Sequence, residues 1–260
     1  MLRLLRDYVA HVYRCKSVYS LHSPFVYEWH RKVLRAKASE ETNNIEAFRK
    51  SLLRDKREIN LKDFGAGSGN LGAKQETKTV GELVRKASRK KASGKLLHHL
   101  CKYYQPKRCL EFGTHIGISS LYQASALEDS AFYTMEGDPS LAAIASDHFQ
   151  KFEIEAQQIV GRFEDILAKK LSLSSYQPDY VFVDGNHRYA PTLDYFQRLH
   201  PIMPENGIIV FDDIYWSNEM KKAWQEISQH AAVSVSIDLF FMGICFLKRK
   251  QAKEHFHFLL

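Results

Sequence analysis

Apolar residues recur at helical spacing through the first part of the chain, and the positions between them are mostly polar or charged. Such spacing places the apolar side chains on one face of a helix, which must then pack against another element. The three stripes are Leu2, Leu5, Val9 and Val12; Phe25, Trp29 and Val33; and Ile45, Phe48 and Leu52. Ser23 followed by Pro24 is typical of a capped helix start, here that of the second helix. Residues 1 to 57 are therefore predicted to be helical, without strands.

The pattern changes after Pro106, where short β-rich runs alternate with helical ones. The predicted strands are Arg108–Gly113, Ala131–Glu136, Gln157–Gly161, Tyr180–Asp184 and Gly207–Asp212. The predicted helices are Ile118–Leu127, Leu141–Phe152, Phe163–Leu171, Thr192–Ile202 and Glu219–His230. Two final runs, Val233–Ile237 and Ile244–Lys248, predict an antiparallel hairpin. Strands that alternate with helices indicate an α/β, doubly wound fold with a mostly parallel sheet.

This alternation predicts two parts of the chain. Residues 94–260 form the α/β domain, and residues 1–93 form a helical N-terminal extension with a glycine-rich loop near residues 65–72. A helical pattern over residues 79–105 joins the two and is interrupted near Ser93-Gly94. In a doubly wound sheet, ligands bind at the carboxyl ends of the strands, where the strand order reverses.

Charge and composition narrow the class of protein. The net charge is +7, and residues 1–100 hold 22 Lys and Arg against 10 Asp and Glu. An excess of basic residues in this part of the chain is typical of helices whose charged faces are exposed to solvent. It is also compatible with binding of nucleic acid, which stays an alternative. The longest apolar stretch, Val233–Leu247, is broken by Ser234, Ser236 and Asp238, so we expect no membrane insertion. Charges near the N-terminus do not fit a signal peptide, and we expect a cytoplasmic protein.

The four cysteines, Cys15, Cys101, Cys109 and Cys245, show no CxxC spacing. This spacing suggests neither a disulfide framework nor a structural metal site, and reduced, packed thiols are expected.

Four predicted strands end in an acidic residue, namely Glu111, Glu136, Asp184 and Asp212. Because the ends of parallel strands share one edge, these carboxylates are predicted to meet at the ligand crevice. After Glu111, the run from Gly113 to Gly117 has GxxxG spacing, which differs from the GxGxxG of dinucleotide sites. Glu136 ends the second strand, where a carboxylate can hold the two hydroxyls of a ribose.

Five segments in this order, CLEFGTHIGISS, YTMEGD, GRFEDIL, VFVDGNHRY and GIIVFDDIYWS, resemble the sequential motifs of class I S-adenosylmethionine-dependent methyltransferases. They are most similar to O-methyltransferases of the catechol and caffeoyl-CoA type. The resemblance covers roughly residues 94–248, and the terminal hairpin agrees with the seven-stranded, Rossmann-like sheet of that family. It implies that residues 94–260 bind S-adenosylmethionine. Residues 1–93 match no pattern of the family.

The resemblance also implies roles for single residues. Glu111, Gly113, Thr114, Gly117 and Ser119 would line the methionine end of the cofactor, Glu136 would hold its ribose, Phe163 and Glu164 would flank its adenine, and Asp184 would lie beside it.

Asp184, Asp212 and Asp213 match the positions that bind a divalent cation in that family, although the third ligand there is usually Asn. Three oxygen ligands suit Mg²⁺, which would orient an acceptor hydroxyl and lower its pKa. His187 is the alternative general base, with Asp184 and Asp212 as the other catalytic candidates. Tyr215 and Trp216 follow these residues and suggest either an aromatic wall for a planar acceptor or ordinary packing.

A second glycine-rich run, Asp63 to Gly69, imitates a methyltransferase glycine loop, and Gly67 to Gly72 fits GxGxxG. No apolar stripe for a crossover helix follows it, and no second strand ends in an acid about 20 residues on. We interpret it as a flexible loop that closes over the active site.

These observations predict a cytoplasmic S-adenosylmethionine-dependent methyltransferase that acts on the oxygen of a small molecule, with a divalent cation and a homodimer left open. Two alternatives remain. One is an NAD(P)-dependent oxidoreductase, although the GxxxG spacing differs from that of dinucleotide sites. The other is a nucleic-acid-binding protein, or an RNA methyltransferase, that uses the basic N-terminal half.

Overall fold

The computed structural model describes residues 2–62, 75–87, 91–169, 176–247 and 252–260. The chain divides into two compact units. The central unit is Trp29–Leu171, and the terminal unit combines Met1–Glu28 with Ser172–Leu260. The glycine-rich loop near residues 65–72 and the run from Asp63 lie outside the described residues.

The central unit contains the first three sheet strands and most of the helices before them. The chain begins, in the terminal unit, with α1 (Leu2–Arg14) and α2 (Pro24–Trp29). The helices of the central unit are α3 (Glu40–Leu52), α4 (Val80–Ala87), α5 (Lys91–Tyr104), α6 (Ile118–Ala124), α7 (Pro139–Lys151) and α8 (Phe163–Lys169). Its strands are β1 (Glu58–Lys62), β2 (Gln75–Thr79), β3 (Arg108–Phe112), β4 (Ala131–Glu136) and β5 (Gln157–Val160). A π-helical turn, His30–Leu34, follows α2.

Strands β3, β4 and β5 run parallel, with β4 in the middle. Strand β3 is buried beyond its first residue, and all of that part except Glu111 is apolar, as expected for a strand covered on both faces. The helix α7 begins after Asp138, whose carboxylate accepts the Ser140 N–H at 2.7 Å as an N-cap. The parallel order brings the ends of β3 and β4 side by side, since Phe112 pairs with Met135.

The terminal unit contains the remaining strands and helices. They are β6 (Tyr180–Val183), α9 (Tyr189–Leu199), β7 (Gly207–Asp212), α10 (Asn218–Gln229), β8 (Val235–Asp238), β9 (Met242–Leu247) and β10 (Glu254–His257). Strands β6 and β7 are parallel, and β9 lies antiparallel between β7 and β8. Strand β10 pairs with β8 in parallel.

The predicted fold class, a mostly parallel sheet with flanking helices in an α/β chain with N-terminal helices, is confirmed. The antiparallel pairing of the last two predicted strands is also present, between β8 and β9.

Three local expectations were wrong. The N-terminal region is not purely helical, because β1 and β2 form an antiparallel pair. Strand β10, which pairs with β8 in parallel, was not expected. The helical pattern is not interrupted at Ser93-Gly94, since both residues lie inside α5. A Cβ at Gly94 would come within 2.4 Å of the Tyr122 ring, so this glycine serves close helix packing. The domain boundary after residue 93 stays a prediction.

In the described part of the chain, no helix has both the length and the apolar character that a membrane crossing requires. The four cysteines are free thiols, as expected, and all but Cys15 are buried.

Candidate functional site

The glycine turn between β3 and α6 has a backbone that few side chains tolerate. Gly113 and Gly117 have φ values of 97° and 81°, and His115 between them has a φ of 49°. A Cβ at Gly117 would lie 2.9 Å from the Phe149 ring. The Gly113 N–H donates to the Met135 carbonyl at 3.0 Å, which ties the turn to β4. Glycine is therefore required here by both conformation and space.

Glu136 stands at the end of β4 and is oriented by the backbone. One carboxylate oxygen accepts the His115 N–H at 2.7 Å, and the other accepts the Asp138 N–H at 2.9 Å. Burial raises the pKa of Glu136, and the two N–H donors partly offset that rise. Each carboxylate oxygen keeps a lone pair for a further donor. This side chain is therefore a pre-oriented acceptor pair beside the glycine turn.

Glu111 is fully buried and already engaged by three side chains. It accepts the Gln123 amide at 2.8 Å and the Thr134 hydroxyl at 2.7 Å, as well as the Ser120 hydroxyl. The Thr134 hydroxyl also bonds to that of Thr114 at 2.5 Å. These buried hydrogen bonds hold the glycine turn in place. Glu111 therefore contributes to the site by positioning the backbone of the turn.

The two residues predicted to flank an adenine begin helix α8. The Gly161 N–H just before them donates to the Glu136 carbonyl at 2.9 Å, which places this loop next to the end of β4. Phe163 packs edge-on against Phe112 with ring centroids 5.6 Å apart, and Glu164 is exposed. The aromatic ring is therefore anchored to β3, whereas the carboxylate faces outward.

His148 is a positioning residue that the sequence did not reveal. Its Nδ1 lies 2.8 Å from the Ile116 carbonyl, inside the glycine turn, and the side chain is buried on α7. Because a carbonyl only accepts, Nδ1 carries the proton. Burial lowers the pKa of His148, so the neutral ring is favoured. Nothing in the sequence distinguishes His148 from the other polar residues of an amphipathic helix, so its role could not be predicted.

In the terminal unit, His187 lies between two carboxylates. Its Nε2 is 3.5 Å from Asp184 Oδ1 and 3.9 Å from Asp213 Oδ2, and all three side chains are partly exposed. Asp212 is buried, and its carboxylate accepts the Asp213 N–H at 3.0 Å. Asp213 has a φ of 54°, an unusual backbone conformation. The group therefore consists of an accessible imidazole with an acid on either side.

The predicted cation ligands are the carboxylates of Asp184, Asp212 and Asp213. Among the described residues, one group of His, Cys, Asp or Glu has its ligand atoms all within 4.8 Å of one another, and it is not formed by Asp184, Asp212 and Asp213. The Asp212 carboxylate is also buried and bonded to the backbone. The assignment of Asp184, Asp212 and Asp213 as cation ligands stays a prediction.

Of the two predicted aromatic residues, Tyr215 belongs to the core. It is 6% exposed and stacks on Phe240 with centroids 4.7 Å apart. Trp216 is 67% exposed. The packing interpretation is therefore correct for Tyr215, and only Trp216 is placed to meet a ligand from solvent.

Comparison with known proteins shows which class of protein this chain resembles. Residues 110–214 match the family described as "Methyltransferase domain". This region contains the glycine turn, Glu136 and the Asp184–His187 group. The predicted resemblance to methyltransferases is confirmed.

The individual relatives are O-methyltransferases. The chain is 30% identical over 124 residues to a catechol O-methyltransferase of Niastella koreensis, covering 46% of this chain and 55% of the relative. It is 26% identical over 136 residues to caffeoyl-CoA O-methyltransferase 1 of Zea mays, covering 49% and 50%. The chain thus spans about half the length of the curated relatives that it matches.

A solved structure gives the same fold. The O-methyltransferase TomG from Streptomyces achromogenes, in complex with SAM, aligns with a TM-score of 0.54 and 21% identity, covering 86% of this chain and 95% of that one. At this level of identity the likeness establishes the fold.

Proposed function

We propose that this protein is an S-adenosylmethionine-dependent methyltransferase that transfers a methyl group to the oxygen of a small molecule. The observation that carries the proposal is Glu136, whose two carboxylate oxygens are oriented by backbone N–H groups beside the glycine turn. The match to a methyltransferase domain over residues 110–214 supports it. So does the structural likeness to an O-methyltransferase in complex with SAM.

The residues of the central unit fit this cofactor. Glu136 would accept hydrogen bonds from the two ribose hydroxyls with its remaining lone pairs. The turn from Gly113 to Gly117 would bring backbone groups close to the methionine end, with Thr114 and Ser119 beside it. Phe163 and Glu164 would flank the adenine. S-adenosylmethionine supplies an electrophilic methyl group on a sulfonium when it is bound.

The chemistry assigned to the terminal unit is proton removal. His187 would take the proton of the acceptor hydroxyl at Nδ1, since Nε2 faces the two carboxylates, while the methyl group passes to the acceptor oxygen and the sulfonium leaves as a thioether. Asp184 and Asp213 flank the imidazole and would orient it, as carboxylates do for catalytic histidines elsewhere. Asp212 would act through its bond to the Asp213 backbone. No step is assigned to a divalent cation.

The proposal also covers the methyl acceptor and the cellular location. We infer a small-molecule acceptor from the relatives named for catechol and caffeoyl-CoA, and a cytoplasmic location from the sequence. Trp216, exposed and close along the chain to Asp213, would offer a planar acceptor a stacking surface.

The first test is calorimetric titration of the folded protein with S-adenosylmethionine and S-adenosylhomocysteine. We expect both to bind, and Glu136→Gln to bind about 10- to 100-fold more weakly. An amide at this position must turn its NH₂ toward the His115 or Asp138 N–H, which sets donor against donor.

The matched control is Glu155→Gln, an exposed residue of the same unit, which should bind as the wild type does. Circular dichroism would check that each variant is folded. A folded wild-type protein that binds neither compound would refute the proposed function. Unchanged affinity in Glu136→Gln would remove the ribose assignment alone.

A further inference from the structure

A second cluster of titratable side chains lies inside the terminal unit, away from His187. It consists of His11 on α1, Asp238 at the end of β8 and His257 at the end of β10. The Nδ1 of His11 is 3.2 Å from Asp238 Oδ1, and the Nδ1 of His257 is 3.7 Å from Asp238 Oδ2. The side chains of His11 and Asp238 are at most 1% exposed. Three elements distant in sequence thus present ligand atoms to one small volume.

The Asp238 carboxylate is rigidly held with one position left open. Its Oδ2 accepts the Trp224 Nε1–H at 2.9 Å and the Tyr215 hydroxyl at 3.1 Å. Its Oδ1 accepts the Phe240 N–H at 2.9 Å. A carboxylate oxygen has two lone pairs, so Oδ2 is saturated and Oδ1 keeps one lone pair on the side of His11.

The tautomer of His11 directs the lone pair of its Nδ1 toward Asp238 Oδ1. Its Nε2 lies 3.1 Å from the Phe258 carbonyl, which can only accept, so Nε2 carries a proton. With a single proton on the ring, Nδ1 faces Asp238 with a bare lone pair. A lone pair 3.2 Å from a carboxylate is repulsive unless a positive charge lies between them.

Neither imidazole has a satisfied Nδ1. Within the described part of the chain, the Nδ1 atoms of His11 and His257 are buried and lack a hydrogen-bond partner. Buried polar nitrogens are normally bonded, and two such atoms aimed at one carboxylate require an explanation.

We propose that His11, Asp238 and His257 form a binding site for a divalent transition cation of the Zn²⁺ type. The three ligand atoms lie within 4.8 Å of one another. Ligands about 2.0 to 2.2 Å from a tetrahedral Zn²⁺ are about 3.3 to 3.6 Å apart, close to the 3.2 Å between His11 Nδ1 and the open oxygen, Asp238 Oδ1. Two imidazoles with one carboxylate form a known zinc ligand set with a fourth position left for water. The Phe258 carbonyl supplies the outer hydrogen bond that metal-binding histidines usually make.

The site is structural in character and independent of the proposed methyl transfer. It joins the N-terminal helix to the last strand, which a backbone bond from the Lys16 N–H to the His257 carbonyl at 3.3 Å also connects. A bound cation would hold α1 against β8 and β10 and stabilise the folded state by mass action.

The test is metal titration of the full chain after treatment with a chelator. We expect one Zn²⁺ per chain by elemental analysis, a higher melting temperature with Zn²⁺, and a visible absorption band when Co²⁺ replaces it. His11→Gln and His257→Gln should each bind at least about 10-fold more weakly. His22→Gln, an exposed histidine near α1, is the matched control and should bind as the wild type does.

Two results would overturn the site. One is a folded wild-type protein that takes up no stoichiometric Zn²⁺ or Co²⁺, which would leave a proton on His11 as the bridging charge. The other is equal metal affinity in the wild type and both His→Gln variants. If either variant is unfolded, Asp238→Asn, which keeps the shape of the side chain, provides the same comparison.

Discussion

The glycine turn of the central unit and the His187 group of the terminal unit are held by different means. Backbone N–H groups 2.7 and 2.9 Å from Glu136 fix the first, together with packing that excludes a Cβ at Gly117. Side chains at 3.5 and 3.9 Å surround the second, and all of them are partly exposed. The turn is therefore rigid before any ligand arrives, whereas the imidazole can adjust when an acceptor binds.

This difference between the glycine turn and the His187 group has a functional interpretation. A site that recognises one invariant compound gains from preorganisation, because ordering costs then do not reduce affinity. A proton acceptor that must fit an acceptor hydroxyl tolerates longer contacts in the absence of substrate. Under the proposed function, the central unit supplies recognition and the terminal unit supplies proton transfer. Variants in the two regions should therefore separate binding from turnover.

The largest effect is expected at His187. His187→Gln should lower kcat for methyl transfer about 100- to 10,000-fold, because the proton acceptor is lost. Its affinity for S-adenosylmethionine should stay that of the wild type. The measurement is transfer of labelled methyl to a small-molecule acceptor that the wild type methylates, with calorimetry for binding. Asp194→Asn, in an exposed ion pair with Arg198, is the control and should keep full activity. A variant with unchanged kcat would show that His187 is not the base.

The next largest effect is expected at Gly117. Gly117→Ala should lower the free energy of unfolding by about 2–4 kcal/mol, because it adds a strained positive φ to a clash with Phe149. The measurement is urea denaturation.

A double-mutant cycle separates the two causes. Phe149→Leu removes the ring that a Cβ at Gly117 would meet, so the double variant should be more stable than the sum of the single effects predicts, by about 1 kcal/mol. Additive effects would mean that backbone strain alone is responsible. The rigid character of the turn would then not depend on α7.

The two regions also differ in how far the sequence predicts them. The glycines of the turn and the acids at the strand ends are adjacent to strands whose pattern is clear, so their places follow from local sequence. Glu136 is an example, since it ends β4 as predicted. Its partners could not be predicted, because the His115 N–H reaches it only after the turn has folded.

Long-range contacts escaped prediction altogether. His11, Asp238 and His257 lie far apart in the chain, and no spacing rule connects them. Strand β10 was missed although the His255-Phe256-His257-Phe258 alternation is a strand signal, because a run of four residues is short. The metal assignment to Asp184, Asp212 and Asp213 rested on family positions, and the buried state of Asp212 depends on tertiary packing that the motif does not encode.

The smallest expected effect concerns His148 and pH. Burial lowers the pKa of this ring below the value of 6.5 that it has in the unfolded chain. Below about pH 6.5 the unfolded state therefore binds more protons than the folded state, so the stability contributed by His148 is present above that pH and is lost as the pH falls.

His148→Asn can keep a donor to the Ile116 carbonyl but cannot titrate. Between about pH 6.5 and 5, the unfolding free energy of the wild type should fall more steeply than that of His148→Asn, by up to about 1.4 kcal/mol per pH unit. Urea denaturation at several pH values measures both slopes. His22→Asn, at an exposed position, should keep the wild-type slope, and a His148→Asn slope equal to it would show that His148 does not link the glycine turn to pH.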